Sequence, residues 1–213
     1  MQLVFIYDGV GATTLWLPLA IHGRYNPRRW DYCIDCGIDK GQYSIHYSHI
    51  FQSVIAVDAN IREEAIEFLA NSDNITFLEK CLWSTSDENI TWYELPTATF
   101  LSTIDKEYAE AKCTEWDIDK NTIKSYQLTT DTLDNVINTP VDFLKIDCEQ
   151  ADADILLGAE TLIQNYRPTI QVEDNGSAVE EYLRALEYTK FNHDEVNCPD
   201  SVYLPKEIII API

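Results

Sequence analysis

Apolar residues along this chain gather into short runs, separated by stretches in which the apolar spacing lengthens to that of a helix. The runs fall at Tyr32–Cys36, Ser53–Asp58, Ile75–Trp83, Val141–Asp147 and Thr169–Glu173. Their length and their polar borders predict strands. Helices are predicted over Gln42–Phe51, over Ile61–Ala70 with apolar residues at 61, 65, 66, 68 and 69, and over Asp152–Asn165, where Ile155, Leu156, Ala159, Leu162 and Ile163 recur on one face. Strand and helix in alternation make an α/β fold, a mostly parallel sheet covered on both faces in three α/β/α layers. The unbroken apolar runs VIAV (54–57) and FLKI (143–146) suit strands buried on both sides.

The rhythm weakens between Thr85 and Thr139. Ile90–Leu95 predicts an edge strand and Ile123–Thr129 a returning one, while Thr97–Asn121 is polar without a clean period. A short helix over Asp131–Asn138 has Thr130 or Asp131 as its N-cap. This region, about 85–139, reads as an insertion over the carboxyl edge of the sheet, where selectivity is usually carried. After Tyr182 come a helix and two strands, Tyr188–Val196 and Ser201–Leu204, around the turn Asn197-Cys198-Pro199-Asp200. That hairpin closes the sheet antiparallel. Residues 1–30 form an apolar extension packed on the core as a strand or helix, and residues 31–213 a single domain. The apolar run Gly9–Ile21 is broken by Pro18 and has no basic segment before it, so neither a membrane span nor a signal peptide is expected.

Charge narrows the partners. Against 36 Asp+Glu stand 15 Lys+Arg, a formal net charge of −21. Such a surface repels phosphate backbones and anionic bilayers, so duplex nucleic acid and membranes are poor partners. With 46% hydrophobic residues the chain is not disordered. Of the six cysteines, Cys33 and Cys36 make a C-x-x-C, but no second pair completes a zinc set. Both lie in an apolar strand and read as buried, reduced thiols of a cytoplasmic protein.

The chemistry concentrates at strand ends. Gly37 and Gly41 bracket Ile38-Asp39-Lys40 between the first strand and its helix, and Asp58 closes the second strand. Glycine permits positive φ and close approach of a ligand, free amides open the helix, and a carboxylate there can accept both hydroxyls of a ribose. This tandem serves both NAD and S-adenosylmethionine. A dinucleotide fingerprint needs a third glycine, and the acid at Asp35 suits an ammonium group better than a pyrophosphate. A second constellation is Asp147 and Glu149 at the end of the fourth parallel strand, with Glu173 ending the next. Lys145 within a buried strand requires an anionic partner such as one of these acids.

Together these residues resemble the FkbM family of S-adenosylmethionine-dependent methyltransferases. The similarity rests on Asp35-Cys36-Gly37, Gly41 to Ser44, Val57 to Asn60, Thr132-Leu133-Asp134, Asp142 to Glu149, Leu157-Gly158-Ala159 and Arg167-Pro168. It implies a Rossmann-like class I methyltransferase fold, with a seven-stranded, mostly parallel sheet whose last strand is antiparallel. It implies S-adenosyl-L-methionine as cofactor and O-methylation of a sugar, glycan or other small hydroxylated acceptor. Asp35, Gly37 and Gly41 would hold the methionine end and Asp58 the ribose. Cys81, Leu82 and Trp83 would flank the adenine. Asp147 or Glu149 would act as base or orient the acceptor, with Lys145, Glu173 and His193 on the substrate side. Carboxylates such as Asp147 and Glu173 would also suit a divalent ion, but no metal is assigned. The family usually has Ala-Asn at Ile38-Asp39 and Glu-Gly-Ala-Glu at Glu149-Gln150-Ala151-Asp152. A nicotinamide-dependent oxidoreductase on a similar sheet and a non-catalytic binding protein are the alternatives. Oligomeric state is not legible.

Overall fold

The computed structural model describes residues 10–173, 177–191 and 200–210. In chain order the elements are α1 (Val10–Tyr25), β1 (Tyr32–Cys36), α2 (Gln42–Ser48), β2 (Ser53–Asp58), α3 (Glu63–Leu69), β3 (Ile75–Glu79), β4 (Cys81–Leu82), β5 (Asn89–Glu94) and α4 (Lys106–Glu115). Then follow β6 (Lys124–Asp131), α5 (Leu133–Val136), β7 (Phe143–Ile146), α6 (Asp152–Leu157), α7 (Glu160–Tyr166), β8 (Thr169–Glu173), α8 (Ser177–Ala185), β9 (Tyr188–Phe191), β10 (Asp200–Pro205) and α9 (Lys206–Ile210).

Seven strands form the main sheet in the order β3-β2-β1-β7-β8-β10-β9. Only β10 is reversed, antiparallel to both neighbours. The chain moves outward from β1 through β2 to β3, then returns to lay β7 on the other side of β1. That reversal opens a crevice at the carboxyl ends of β1 and β7, where open α/β sheets take ligands. All four residues of β7 are buried, and its neighbours β1 and β8 are nearly as closed. Cys33 and Cys36 face opposite sides of β1, one in each core layer. Both thiols are free, and burial raises them.

Helix α1 lies on the layer that contains Cys33, Tyr47, Phe51, Val54 and Phe143, burying Leu15 and Leu19 there. Its end is tied down by His22, whose Nδ1 is 2.7 Å from Thr169 Oγ1 and whose Nε2 is 2.5 Å from the carbonyl of Arg29. A carbonyl only accepts, so Nε2 carries the hydrogen and Nδ1 accepts from the threonine. Burial pushes the imidazole pKa down to about 4, in keeping with that neutral form. Among the described residues, no helix is long and apolar enough to cross a membrane.

Several elements depart from the pattern in the sequence. The run Ile75–Trp83 is two strands. β3 ends at Glu79, and β4 pairs with β6 in a separate three-stranded sheet, β4-β6-β5. Lys80 carries the chain across, its amide donating to the carbonyl of Asp58. The helix over Asp152–Asn165 is broken at Gly158-Ala159. A Cβ on Gly158 would lie 2.1 Å from the Trp83 carbonyl oxygen, so the backbone passes where only glycine fits. The cap of α5 is Thr132, whose hydroxyl accepts from the amide of Asn135, rather than Thr130 or Asp131. The polar stretch Thr97–Asn121 contains α4, capped by the Asp105 carboxylate. Beyond β10, α9 adds a helix that the sequence pattern did not announce.

Candidate functional site

The ends of β1, β2 and β7 enclose a cleft of about 230 Å³ with the insertion as its roof. Gly37 and Gly41 open the turn at φ values of +79° and +82°. A Cβ on Gly37 would sit 1.9 Å from the backbone oxygen of Asp147, so glycine lets β1 and β7 meet at the floor. Gly41 serves packing instead, since its Cβ would meet Leu69 Cδ1 at 2.6 Å. Asp58 stitches the turn to β2. Its Oδ2 accepts from the amides of Ile38 at 3.0 Å and Asp39 at 3.3 Å, and its Oδ1 from Asn60 at 3.0 Å. Burial raises this carboxyl while those amides oppose the rise. Gly37 and Asp58 both line the cleft; Gly41 does not.

Two residues assigned to ligand from sequence lie beneath the floor. Asp35 and Lys145 are fully buried. Asp35 Oδ2 accepts from Ser44 Oγ at 2.6 Å, and its Oδ1 is 3.4 Å from Lys145 Nζ. The same ammonium lies 3.2 Å from Asp147 Oδ2 and 4.7 Å from the centre of the Tyr43 ring. Burial opposes the charge on Lys145, but Asp147, Asp35 and Asp200 outweigh it and raise the amine. Lys145 therefore finds the anions a buried lysine requires, and it reaches the cleft only through Asp147. Asp35 and Lys145 are buried and do not line the cleft; they support its floor.

At the end of β7 one carboxylate oxygen from each of Asp147, Glu149 and Glu173 lies within 4.8 Å of the other two. Asp147 and Glu149 line the cleft; Glu173 borders them from β8. Glu149 and Gln150 occupy φ values of +40° and +77°. Gln150 points to solvent, so losing the family's glycine costs backbone ease rather than cleft space. Asp152 turns inward, its Oδ1 accepting from the Cys148 amide at 2.8 Å. Tyr108 of α4 donates to Glu149 Oε2 at 2.5 Å, and Thr103 donates to the Glu149 carbonyl at 2.7 Å. Burial lifts the Glu149 carboxyl to about 7; the Tyr108 bond opposes this, while the charges of Glu173, Asp147 and Asp152 add to it. Of these three carboxylates, Asp147 is also ion-paired with the Lys145 ammonium that Asp35 shares.

On the opposite wall, Cys81 and Leu82 line the cleft but Trp83 does not. Trp83 packs on the main core, its carbonyl pressed against Gly158. The indole that does line the cleft is Trp92 of β5, backed by Tyr126 with ring centres 5.9 Å apart. The insertion also contributes Thr99, whose hydroxyl donates to Asp39 Oδ1 at 2.5 Å, and Phe100. Trp92, Thr99, Phe100, Thr103 and Tyr108 escaped the sequence reading, because each reaches the site through long-range docking, Trp92 from an edge strand and the others from a segment without a period. His193 lies outside the described residues.

Residues 23–197 match the family model of the methyltransferase FkbM domain. A methyltransferase FkbM from Methylobacillus flagellatus KT is 14% identical, with a TM-score of 0.50 over 93% of this chain and 56% of its own. The chain thus spans little more than half the length of that relative, and at this identity the likeness is one of fold. A putative methyltransferase from Streptococcus mutans, solved in complex with SAH, matches 87% of this chain and 95% of its own at 11% identity and TM-score 0.47. An rRNA methylase from Streptococcus thermophilus matches 87% and 93% at 13% identity and TM-score 0.47. No curated protein sequence matches the chain.

Proposed function

Because the chain belongs to the FkbM methyltransferase family, we propose that it transfers a methyl group from S-adenosylmethionine to a hydroxyl of a sugar, glycan or other small hydroxylated acceptor. The observation that carries the acceptor chemistry is Glu149. It is a cleft-lining carboxyl near neutrality, held in orientation by Tyr108 and placed beside Asp147 and Glu173. A general base works best when its pKa lies close to the operating pH.

The donor set of the cleft suits the cofactor. Asp58 offers a carboxylate to the ribose hydroxyls at the switch point, and the turn from Gly37 to Asp39 receives the methionine end. Cys81, Leu82 and Trp92 offer an apolar wall and a ring face to the base. When bound, S-adenosylmethionine supplies a methyl group activated by its sulfonium. Glu149 accepts the proton of the acceptor hydroxyl as its oxygen gains the methyl. Asp147, ion-paired with Lys145, orients the same hydroxyl. Thr103 and Tyr108 hold Glu149 in place for that step.

Calorimetry with S-adenosylhomocysteine tests the cofactor assignment. Replacing Asp58 by Ala should weaken binding by roughly 1–3 kcal/mol, since hydrogen bonds to a charged acceptor are lost. Asp58 also holds three amides, so Asp58→Asn, which retains one acceptor oxygen, should lose less; equal affinity in all three proteins rejects the ribose role. Transfer of labelled methyl to a library of hydroxylated acceptors tests the reaction. Normal cofactor affinity with no labelled product would favour the non-catalytic reading. The net charge of −21 supports a small acceptor over nucleic acid.

A further inference from the structure

The roof over the cleft carries an exposed aromatic pair that neither the cofactor nor the proton transfer uses. Phe100 is 46% exposed and Trp116 52%, yet they lie edge to face with ring centres 5.3 Å apart. Among the exposed large apolar side chains of the described residues, Phe100 is the one that also lines the cleft. Its position is fixed from both sides. One residue before it, Thr99 donates to Asp39 at the glycine turn, and three residues after it, Thr103 donates to the carbonyl of Glu149. Between them, the hydroxyl of Ser102 accepts from the amide of Leu95 at 3.2 Å. A ring held this firmly at the mouth of a cleft presents a face at low entropic cost.

The same cleft is acidic. Asp147, Glu149 and Glu173 converge there, and Asp39 stands by the turn. The two cations that line the cleft are engaged, Arg62 with Glu94 at 3.2 Å and Lys80 with Asp131 at 3.0 Å. A molecule bridging these walls needs an apolar face for Phe100, several hydroxyl donors for the carboxylates, and no negative charge. A neutral pyranose ring has all three, with its axial C–H groups on one face and its hydroxyls around the edge. An aromatic phenol has the face but one donor; a uronate has the donors but the wrong charge.

We propose that Phe100, braced by Trp116, is the stacking platform that selects the acceptor, and that the acceptor is a neutral pyranoside rather than an anionic or purely aromatic ring. This rests on the methyltransferase reading and assigns the acceptor side of the same cleft. The segment is tied to the cofactor turn through Thr99 rather than through Phe100, so replacing the ring should act on acceptor affinity and leave the Thr99 bond to Asp39 in place.

The test is a titration of the full chain, saturated with S-adenosylhomocysteine, by three probes: methyl β-glucopyranoside, its uronate counterpart and phenol. Ligand-observed NMR reads each affinity. The neutral glycoside should bind at least about tenfold more tightly than the uronate, because the carboxylates of the cleft outnumber the one ammonium paired with them and oppose the added charge. Phe100→Ala should weaken the glycoside roughly three- to tenfold, the worth of one ring contact, and Phe100→Tyr should restore it. Neither variant should move the S-adenosylhomocysteine affinity. If S-adenosylhomocysteine binds but the uronate or phenol matches the glycoside, or Phe100→Ala leaves glycoside affinity intact, the platform is rejected and the methyltransferase reading stands. Failure of S-adenosylhomocysteine to bind the wild-type chain rejects both.

Discussion

At the scale of single residues, the site depends on a few positions with no slack. Gly37 is the sharpest. With φ at +79° and the Asp147 oxygen 1.9 Å from where a Cβ would be, Gly37→Ala combines backbone strain with a clash against main chain. We expect a loss of more than about 3 kcal/mol, read as a collapse of the denaturant midpoint, whereas Gly→Ala at an unstrained site would be nearly neutral. The sequence made this glycine readable as a ligand turn, but not its close contact with β7, which no local pattern encodes. Glu149 carries a pH dependence of two opposite signs. As a base it must be ionised, so turnover should fall as pH drops through about 7. As a folded group with a raised pKa it does the reverse. It contributes stability that is full below its ordinary value of 4.5 and is lost as pH rises through about 7. Glu149→Gln should therefore cost about a hundredfold or more in turnover. It should also melt at a higher temperature than wild type at about pH 8, with that advantage gone near pH 4. A variant that melts lower than wild type at the higher pH would contradict the raised pKa. Lys145 shows what a residue alone can reveal. Its need for an anion was plain from sequence, but that Asp35 below the floor and Asp147 in the cleft share it required the register of β1 against β7.

At the scale of elements, continuous apolar runs were read well and interruptions were not. β1, β2 and β8 have the bounds their sequences suggested, since each is a short, mostly apolar run that ends in an acid or cysteine at the sheet edge. The failures share a cause: apolar spacing that continues across a break imposed from elsewhere. Ile75–Trp83 is apolar on both sides of Glu79-Lys80, where the chain changes sheets, and Asp152–Asn165 keeps helical spacing while Trp83 forces the break at Gly158. Helix α4 was invisible for the opposite reason, as it buries only Ala109 and Cys113 and packs on a small cluster of its own with Leu95, Ala98 and Leu101. Such an element depends on its clasps. Thr99, Thr103 and Tyr108 tie it to the turns at Asp39 and Glu149, each bond contributing about 0.5–1.5 kcal/mol or more where a carboxylate accepts. The double variant Thr99→Val/Thr103→Val should leave the main sheet's amide exchange unchanged and speed exchange in residues 95–116 by about tenfold or more. Uniform acceleration across the sheet would show that the insertion is part of the global unfolding unit.

At the scale of the whole molecule, layers and strand direction followed from the alternation of strand and helix, while the order of strands did not, since pairing is a long-range fact. What the composition did announce is the field. Of the 15 Lys+Arg, several are engaged in ion pairs: Arg29 with Asp142, Arg62 with Glu94, Lys80 with Asp131, Lys145 with Asp35 and Asp147, and Arg167 with Glu207. Each such pair consumes an acid as well, which leaves the −21 excess spread over the surface with few cations between. Self-repulsion of that kind destabilises the compact state. Raising sodium chloride from about 0.1 M to about 1 M shortens the screening length from about 10 Å to about 3 Å and relieves it. The buried pairs under the cleft are hardly screened, so the net effect should be a melting temperature that climbs several degrees over that range. Sodium sulfate would confuse the reading, because it also strengthens apolar burial; chloride isolates the charge effect. A melting temperature that falls with chloride would mean that exposed ion pairs, not repulsion, dominate the surface. The exclusion of anionic acceptors from the cleft would then need a local cause in Asp147, Glu149 and Glu173 rather than the field of the whole chain.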